Sequence, residues 1–193
     1  LRLLHERGAD AVGLDLSPVL LREALAQGTE APLVRGDMRE LPFGAERFDV
    51  TLCMFTSFGY FGSVAAHEHL AREIARVTRS VIVLDLPDRE SLEATLVGRS
   101  ERRLDDRQVT ETRRIVPGPR RVEKIVEISE AGGGGVAERY EERVLLFERD
   151  EIEAMFDAAG FALVDAMGDY EGRPWVGGKS PRMLLRLQRR RRP

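Results

Sequence analysis

The sequence predicts an α/β domain with a doubly wound, mostly parallel sheet and an inserted antiparallel β-meander. Three observations predict it. Apolar strands alternate with helical stretches over the first hundred residues. Two of those strands end on a carboxylate, Asp15 and Asp37, about one β-α-β unit apart. The alternation then stops between Arg107 and Phe147, where extended segments separated by Pro-Gly-Pro and tetraglycine stretches take over. At 193 residues, a single domain over 1–193 is expected, with 107–147 as a meander lid inserted within it.

The elements follow in order. Residues 1–8 read as the last turns of a helix, with Gly8 as its stop. Val12 and Leu14 suit a buried strand, and Asp15 ends it. Ser17 is a good N-cap, and Pro18 fits the first helical position because the N–H it lacks would be unpaired there. A helix over 19–27 then turns Val19, Leu20, Leu21 and Ala24 inward, and Gly28 ends it. A short strand over 33–35 closes on Gly36-Asp37-Met38. Residues 48–54 form a near-continuous apolar run, as in a parallel strand buried on both faces. An aromatic, glycine-rich loop, Phe55 to Gly62, follows it. Next come a helix over 65–78 that buries Leu70, Ile74 and Val77, a strand over 80–86 and a short helix over 89–97.

The meander is expected as three extended segments, 109–116, 122–129 and 136–147, with Gly132–Gly135 as a mobile tip. Those glycines are no phosphate loop, because no helix N-terminus follows them. A helix over 149–159 (Ile152, Met155 and Phe156 inward), a strand over 161–167, a glycine-rich loop with Asp169, Tyr170 and Trp175, and a last strand over 182–187 complete the chain. Arg189 to Arg192 read as a solvated tail.

Composition excludes several classes. The net charge of -3 argues against nucleic-acid binding by bulk charge. The one cysteine, Cys53, forbids an internal disulfide and fits a reducing, cytoplasmic setting. No apolar run reaches the roughly 18 residues of a membrane span. His67-Glu68-His69 gives no metal site, since positions one and two apart do not share a helix face.

The order of strand-acid-helix at Asp15, strand-acid at Asp37, Phe48-Asp49-Val50 entering a strand, the aromatic loop, the strand over 81–86, Ala159-Gly160-Phe161 and a final strand resembles the class I S-adenosylmethionine-dependent methyltransferases, with their Rossmann-like sheet. Tyr140 to Arg143, Glu151, Gly168-Asp169-Tyr170 and Pro181-Arg182 resemble the small-molecule subgroup that carries a β-meander. The resemblance implies methyl transfer from S-adenosyl-L-methionine to a small-molecule acceptor, with no metal, nucleic acid or membrane partner. It implies that Asp15, beside Leu16, holds the ribose hydroxyls; that Asp37 accepts from the adenine amino group; that Met38 borders the ring; and that the turn Cys53, Met54, Phe55 offers a carbonyl to the methionine ammonium. Read from the residues alone, Asp15 and Asp37 equally suit turn-forming roles, and the two methionines suit core packing.

Three departures from the resemblance stand out. The family's glycine-rich loop is absent; its strand would lie between those ending at Asp15 and Met54, so roughly 40 further N-terminal residues are expected in the natural product, the length of a strand and helix. Thr78-Arg79-Ser80 replaces the usual Pro-Gly-Gly turn, and Pro87-Asp88 stands where an Asn is usual. For a catalytic group the candidates are Tyr60, His67, Tyr140 and Tyr170, with His67 also suiting a surface or capping role and Arg182 suiting a pair with a neighbouring acid. The competing readings are a truncated or degenerate nucleotide-binding module without turnover, and a nicotinamide-dependent oxidoreductase, against which Asp37 and the late meander count.

Overall fold

In the computed structural model, which describes residues 1–118, 120–130 and 135–191, the chain begins with a short helix, α1 (Arg2–Glu6), that ends at Gly8 with φ +82°. Strand β1 (Gly13–Asp15) leads through α2 (Pro18–Ala26) to β2 (Leu33–Arg35), which pairs with β1 in parallel, Asp15 level with Arg35. The Ser17 hydroxyl accepts from the Leu20 amide at 3.3 Å, so the N-cap and Pro18 start α2 as their chemistry predicts. Then follow β3 (Phe48–Cys53), a single 3-10 turn over Ser57–Gly59, α3 (Val64–Val77), β4 (Thr78–Pro87) and α4 (Arg89–Thr95). Strands β5 (Arg99–Leu104), β6 (Arg107–Val116), β7 (Arg121–Glu130) and β8 (Val136–Leu145) form the meander. Helix α5 (Arg149–Ala158), β9 (Phe161–Met167) and β10 (Arg182–Arg189) end the chain.

Among the described residues the strands form three sheets: β1-β2, β3-β4-β10-β9 and β5-β6-β7-β8. Strands β3 and β4 are parallel, while β10 lies antiparallel between β4 and β9. The core lies between this second sheet and the helices α3 and α5, where Phe58, Leu70, Ile74, Ile82, Leu84, Ile152, Phe156, Phe161, Leu185 and Leu187 are buried together. Helix α5 starts on a capping box between Glu148 and Glu151 and stops at Gly160, φ +86°. The carboxyl ends of the parallel strands, where ligands bind in open α/β sheets, carry Asp15 and Asp37 in the β1-β2 pair, and the residues after Cys53 and the end of β4 in the second sheet.

Several expectations need correction. Strand β3 is not buried on both faces: Val50 and Leu52 are 50% and 43% exposed, because among the described residues β3 pairs only with β4 and the β1-β2 pair forms a separate sheet. In α2, Leu21 and Ala24 are half-buried as expected, but Val19 and Leu20 are exposed. The meander has a fourth strand, β5, ahead of the expected 107–147 span, joined to β6 by a turn with Asp105 at φ +53°. Its sequence, Arg-Ser-Glu-Arg-Arg-Leu, carries no apolar alternation; cross-strand polar pairs such as Gln108 to Glu101 at 3.1 Å hold it instead. Within the expected C-terminal tail, Arg189 and Arg190 are not free. Arg189 lies over the Phe161 ring and donates to the Arg79 carbonyl at 3.0 Å and the Ala75 carbonyl at 2.8 Å, and Arg190 pairs with Asp157. Pro119, the glycines 132–134 and Arg192 lie outside the described residues.

Candidate active site

Asp15 and Asp37 leave neighbouring parallel strands at the same end, Asp37 two residues beyond the Asp15–Arg35 pair. Asp15 Oδ1 accepts from the Ser17 amide at 2.7 Å, an Asx turn that fixes the side chain, while Oδ2 has no hydrogen-bond partner among the described residues. Asp37 is more heavily engaged. Its Oδ1 accepts from the Arg39 amide at 2.9 Å and Nε at 3.0 Å, and its Oδ2 from Arg39 Nε at 3.1 Å and Nη2 at 2.5 Å. The bonds from Arg39 hold the Asp37 carboxyl below the usual range. Met38 is half-buried against the main core, and Leu16 is 60% exposed beside Asp15.

The turn after β3 is strained. Phe55 and Thr56 have φ +55° and +66°, a left-handed region that a β-branched residue such as Thr56 rarely enters. Asp85, fully buried near the end of β4, holds it: Asp85 Oδ2 accepts from the Phe55 amide at 2.8 Å, and the Asp85 carbonyl from the Thr56 amide at 2.9 Å. The Met54 carbonyl accepts from the Ser57 amide at 3.2 Å and the Ser57 hydroxyl at 2.8 Å, so it faces back into the turn. The Phe55 carbonyl accepts no hydrogen bond among the described residues, and its ring is 76% exposed. Cys53 is buried beneath the turn, and burial pushes its thiol up to about 12.

Three further residues converge here. Arg182 pairs with Asp85, Nε to Oδ1 at 2.7 Å, and reaches the Thr56 hydroxyl at 3.1 Å. The Tyr170 hydroxyl donates to Asp85 Oδ2 at 2.6 Å, while its ring is 60% exposed. Burial and then the bond to Asp85 keep that phenol protonated above its ordinary range. Asp88, 4% exposed, ties down the same loop by accepting from the Trp175 indole at 2.9 Å and the Gly178 amide at 3.1 Å.

The other candidates lie apart. His67 is fully buried on α3, with ring neighbours Phe58, Phe61 and Phe147, and its Nδ1 lies 2.7 Å from the Ser63 carbonyl. It is thus neither a surface nor a capping histidine, and burial lowers its pKa. Tyr60, 48% exposed, lines an open cleft of about 400 Å³ with Glu141, Glu142 and Arg143 of β8; burial, and next the Glu142 charge, raise its phenol. Tyr140, 50% exposed, donates to Glu138 on its own strand, a bond that raises its phenol too.

This pair of acceptors suits an adenosine. A carboxylate offers about four lone-pair sites, so Asp15 has room for a diol, and the exposed Arg39 can swing away from Asp37. The sequence reading missed Asp85 and Asp88, although Asp85 carries a legible signal: it is a lone acid near the end of an apolar strand, as Asp15 and Asp37 are.

Residues 1–81 match a family model described as a methyltransferase domain. The dTDP-3-amino-3,6-dideoxy-alpha-D-glucopyranose N,N-dimethyltransferase of Streptomyces fradiae is 28% identical over 192 residues, covering 90% of this chain and 69% of that protein. The structure of CalS10, an amino pentose methyltransferase from Micromonospora echinaspora solved with S-adenosylmethionine bound, superposes with a TM-score of 0.65 at 25% identity, covering 93% of this chain and 73% of that one. The CcbJ methyltransferase of Streptomyces caelestis has the same fold, with a TM-score of 0.82 at 17% identity over 97% of this chain and 78% of its own. With two acids at neighbouring strand ends and β10 antiparallel between β4 and β9, the chain has the fold of the class I S-adenosylmethionine-dependent methyltransferases, and its residues 1–81 match a methyltransferase domain.

Proposed function

We propose that the chain methylates the amino group of a small metabolite, an amino sugar in the first instance, in the cytoplasm. The observation that carries this is the 28% identity, spread over 90% of the chain, to an N,N-dimethyltransferase named for a nucleotide-linked 3-amino sugar. The open cleft between Tyr60 and β8 supports it, since the Glu142 carboxylate there can accept a hydrogen bond from an amine N–H. The meander, in which Val109 is the only buried apolar side chain among the described residues, is read as a small lid over the acceptor side.

In this reading Asp15, with Leu16 alongside, takes the ribose hydroxyls, and Asp37 takes the adenine amino group once Arg39 moves aside. Met38 borders the ring, and the free Phe55 carbonyl, at the end of the Cys53-Met54-Phe55 segment, takes the ammonium. S-adenosylmethionine supplies a methyl group whose leaving sulfide needs no proton. The chain's own work is therefore to align the acceptor and exclude water. Tyr60, Tyr140 and Tyr170 are all held protonated, so they donate hydrogen bonds rather than remove protons. His67 is enclosed by aromatic rings and has a structural part. The acceptor thus enters as its free amine, and kcat/KM should rise with pH along the acceptor's own amine titration.

The test is direct. The full chain is incubated with S-adenosylmethionine and dTDP-3-amino-3,6-dideoxyglucose, and the products are weighed by mass spectrometry, with S-adenosylhomocysteine binding followed by calorimetry. One or two added methyl groups on the sugar nitrogen support the reading. Tight S-adenosylhomocysteine binding with no methylation of this or other amino sugars removes the acceptor class and leaves the methyltransferase standing.

A further inference from the structure

Asp85 has no task in the chemistry just described, yet the fold spends a buried charge on it. Its side chain is fully buried, and its partner Arg182 has a side chain only 23% exposed. A buried ion pair is seldom retained for stability alone, because apolar residues of the same volume commonly do as well. Here every partner lies at one edge of the sheet. Asp85 Oδ2 takes two donors from segments far apart in sequence, the Phe55 amide at 2.8 Å and the Tyr170 hydroxyl at 2.6 Å. Asp85 Oδ1 takes Arg182 Nε at 2.7 Å and also Nη2, which at the same time reaches the Thr56 hydroxyl at 3.1 Å. The Asp85 carbonyl takes the Thr56 amide at 2.9 Å. The turn so held is left-handed at both Phe55 and Thr56, a conformation that persists only where its surroundings enforce it. On the outer side, the Phe55 and Tyr170 rings stand 76% and 60% exposed on this fixed base. Exposed aromatic rings on a rigid anchor suit a binding wall better than a core.

We propose that Asp85, charged against Arg182, is a positioning residue that locks the cofactor-side turn at Phe55 and the Tyr170 loop into one register, so that filling the cofactor site orders the loop facing the acceptor. The inference rests on the reading above that the cofactor lies at the carboxyl ends of β1 to β3.

Hydrogen exchange of the full chain, followed by mass spectrometry with and without saturating S-adenosylhomocysteine, tests it. The ligand should slow exchange at residues 54–57 and also at 169–172, each by about tenfold or more. Tyr170→Phe keeps the ring and removes one hydrogen bond to Asp85, so the ligand-free variant should still melt cooperatively, a few degrees below the wild type. In that variant the slowing at 54–57 should persist and the slowing at 169–172 should be lost. Protection confined to 54–57 in the wild type, or retained at 169–172 in Tyr170→Phe, overturns the inference and leaves the cofactor reading intact. No protection at 54–57 in the wild type overturns both.

Discussion

Asp15 has one carboxylate oxygen committed to the Ser17 amide and one with no partner among the described residues, so its free side is what a ligand would use. Replacing Asp15 with Ala removes an acceptor whose charged hydrogen bonds are worth about 1.5–3 kcal/mol each. At about 1.4 kcal/mol per tenfold, S-adenosylhomocysteine affinity should fall at least about tenfold, read by calorimetry. The fold should survive, since the Ser17 cap on Leu20 remains. An unchanged Kd would take Asp15 out of the site. Cys53 makes the opposite kind of prediction. Only the thiolate reacts with alkylating agents, and a buried thiol pushed up to about 12 is almost wholly protonated at neutral pH. Iodoacetamide should leave Cys53 unmodified in the folded chain and label it completely in denaturant. Rapid labelling of the native protein would show that the turn above it opens.

Between elements, a tight packing restraint lies at Gly59, where the aromatic turn meets the end of the meander. A Cβ there would stand 2.6 Å from Val144 Cγ1 and 2.9 Å from the Leu145 carbonyl oxygen, and the latter is backbone that cannot rotate away. Gly59→Ala should therefore cost about 1–3 kcal/mol, the usual range for overpacking. The urea midpoint should drop with the slope unchanged, and a midpoint equal to wild type would mean that the meander rides loosely on the domain. Element type was largely legible in the sequence because burial imposes period. Leu70, Ile74 and Val77 mark one face of α3, and Ile152 and Phe156 mark that of α5, and all five are buried. Capping chemistry was legible for the same local reasons at Ser17-Pro18, Gly28 and Gly160. Strand β5 was not, since Arg-Ser-Glu-Arg-Arg-Leu has no apolar alternation to read. Within the site, the acids at strand ends could be read from the chain because strand and acid are adjacent. The convergence of Phe55, Thr56, Tyr170 and Arg182 on Asp85 joins residues up to 97 apart, and no local signal encodes it.

Across the whole molecule, titration should give stability a stepped dependence on pH, and the first step belongs to His67. Enclosed by Phe58, Phe61 and Phe147, its ring favours the neutral form, so the folded pKa lies below the ordinary 6.5. The unfolded chain then binds this proton at a higher pH than the folded one. Its contribution is complete above 6.5 and declines as pH falls from there through the folded value. The carboxylates act later. Hydrogen bonds from Arg39 lower Asp37, and those from Arg76 lower Glu73, from ordinary values of 3.8 and 4.5. Their stabilisation is present above those ordinary values and is lost only as pH falls through the lower folded ones. At the alkaline end the sign reverses: burial raises Tyr60 and Tyr170 above 10, so their share holds below 10 and fades as pH climbs through the folded values. Because the acid steps are separated, one substitution can remove the first without the second. His67→Phe keeps an aromatic ring in the cluster and discards the titrating group. Thermal midpoints measured between about pH 7 and pH 5 should fall for the wild type and stay level for this variant, while both fall together below about pH 4. Should the variant show the same decline between pH 7 and pH 5, another group sets that step and His67 binds its proton equally in the folded and unfolded chains.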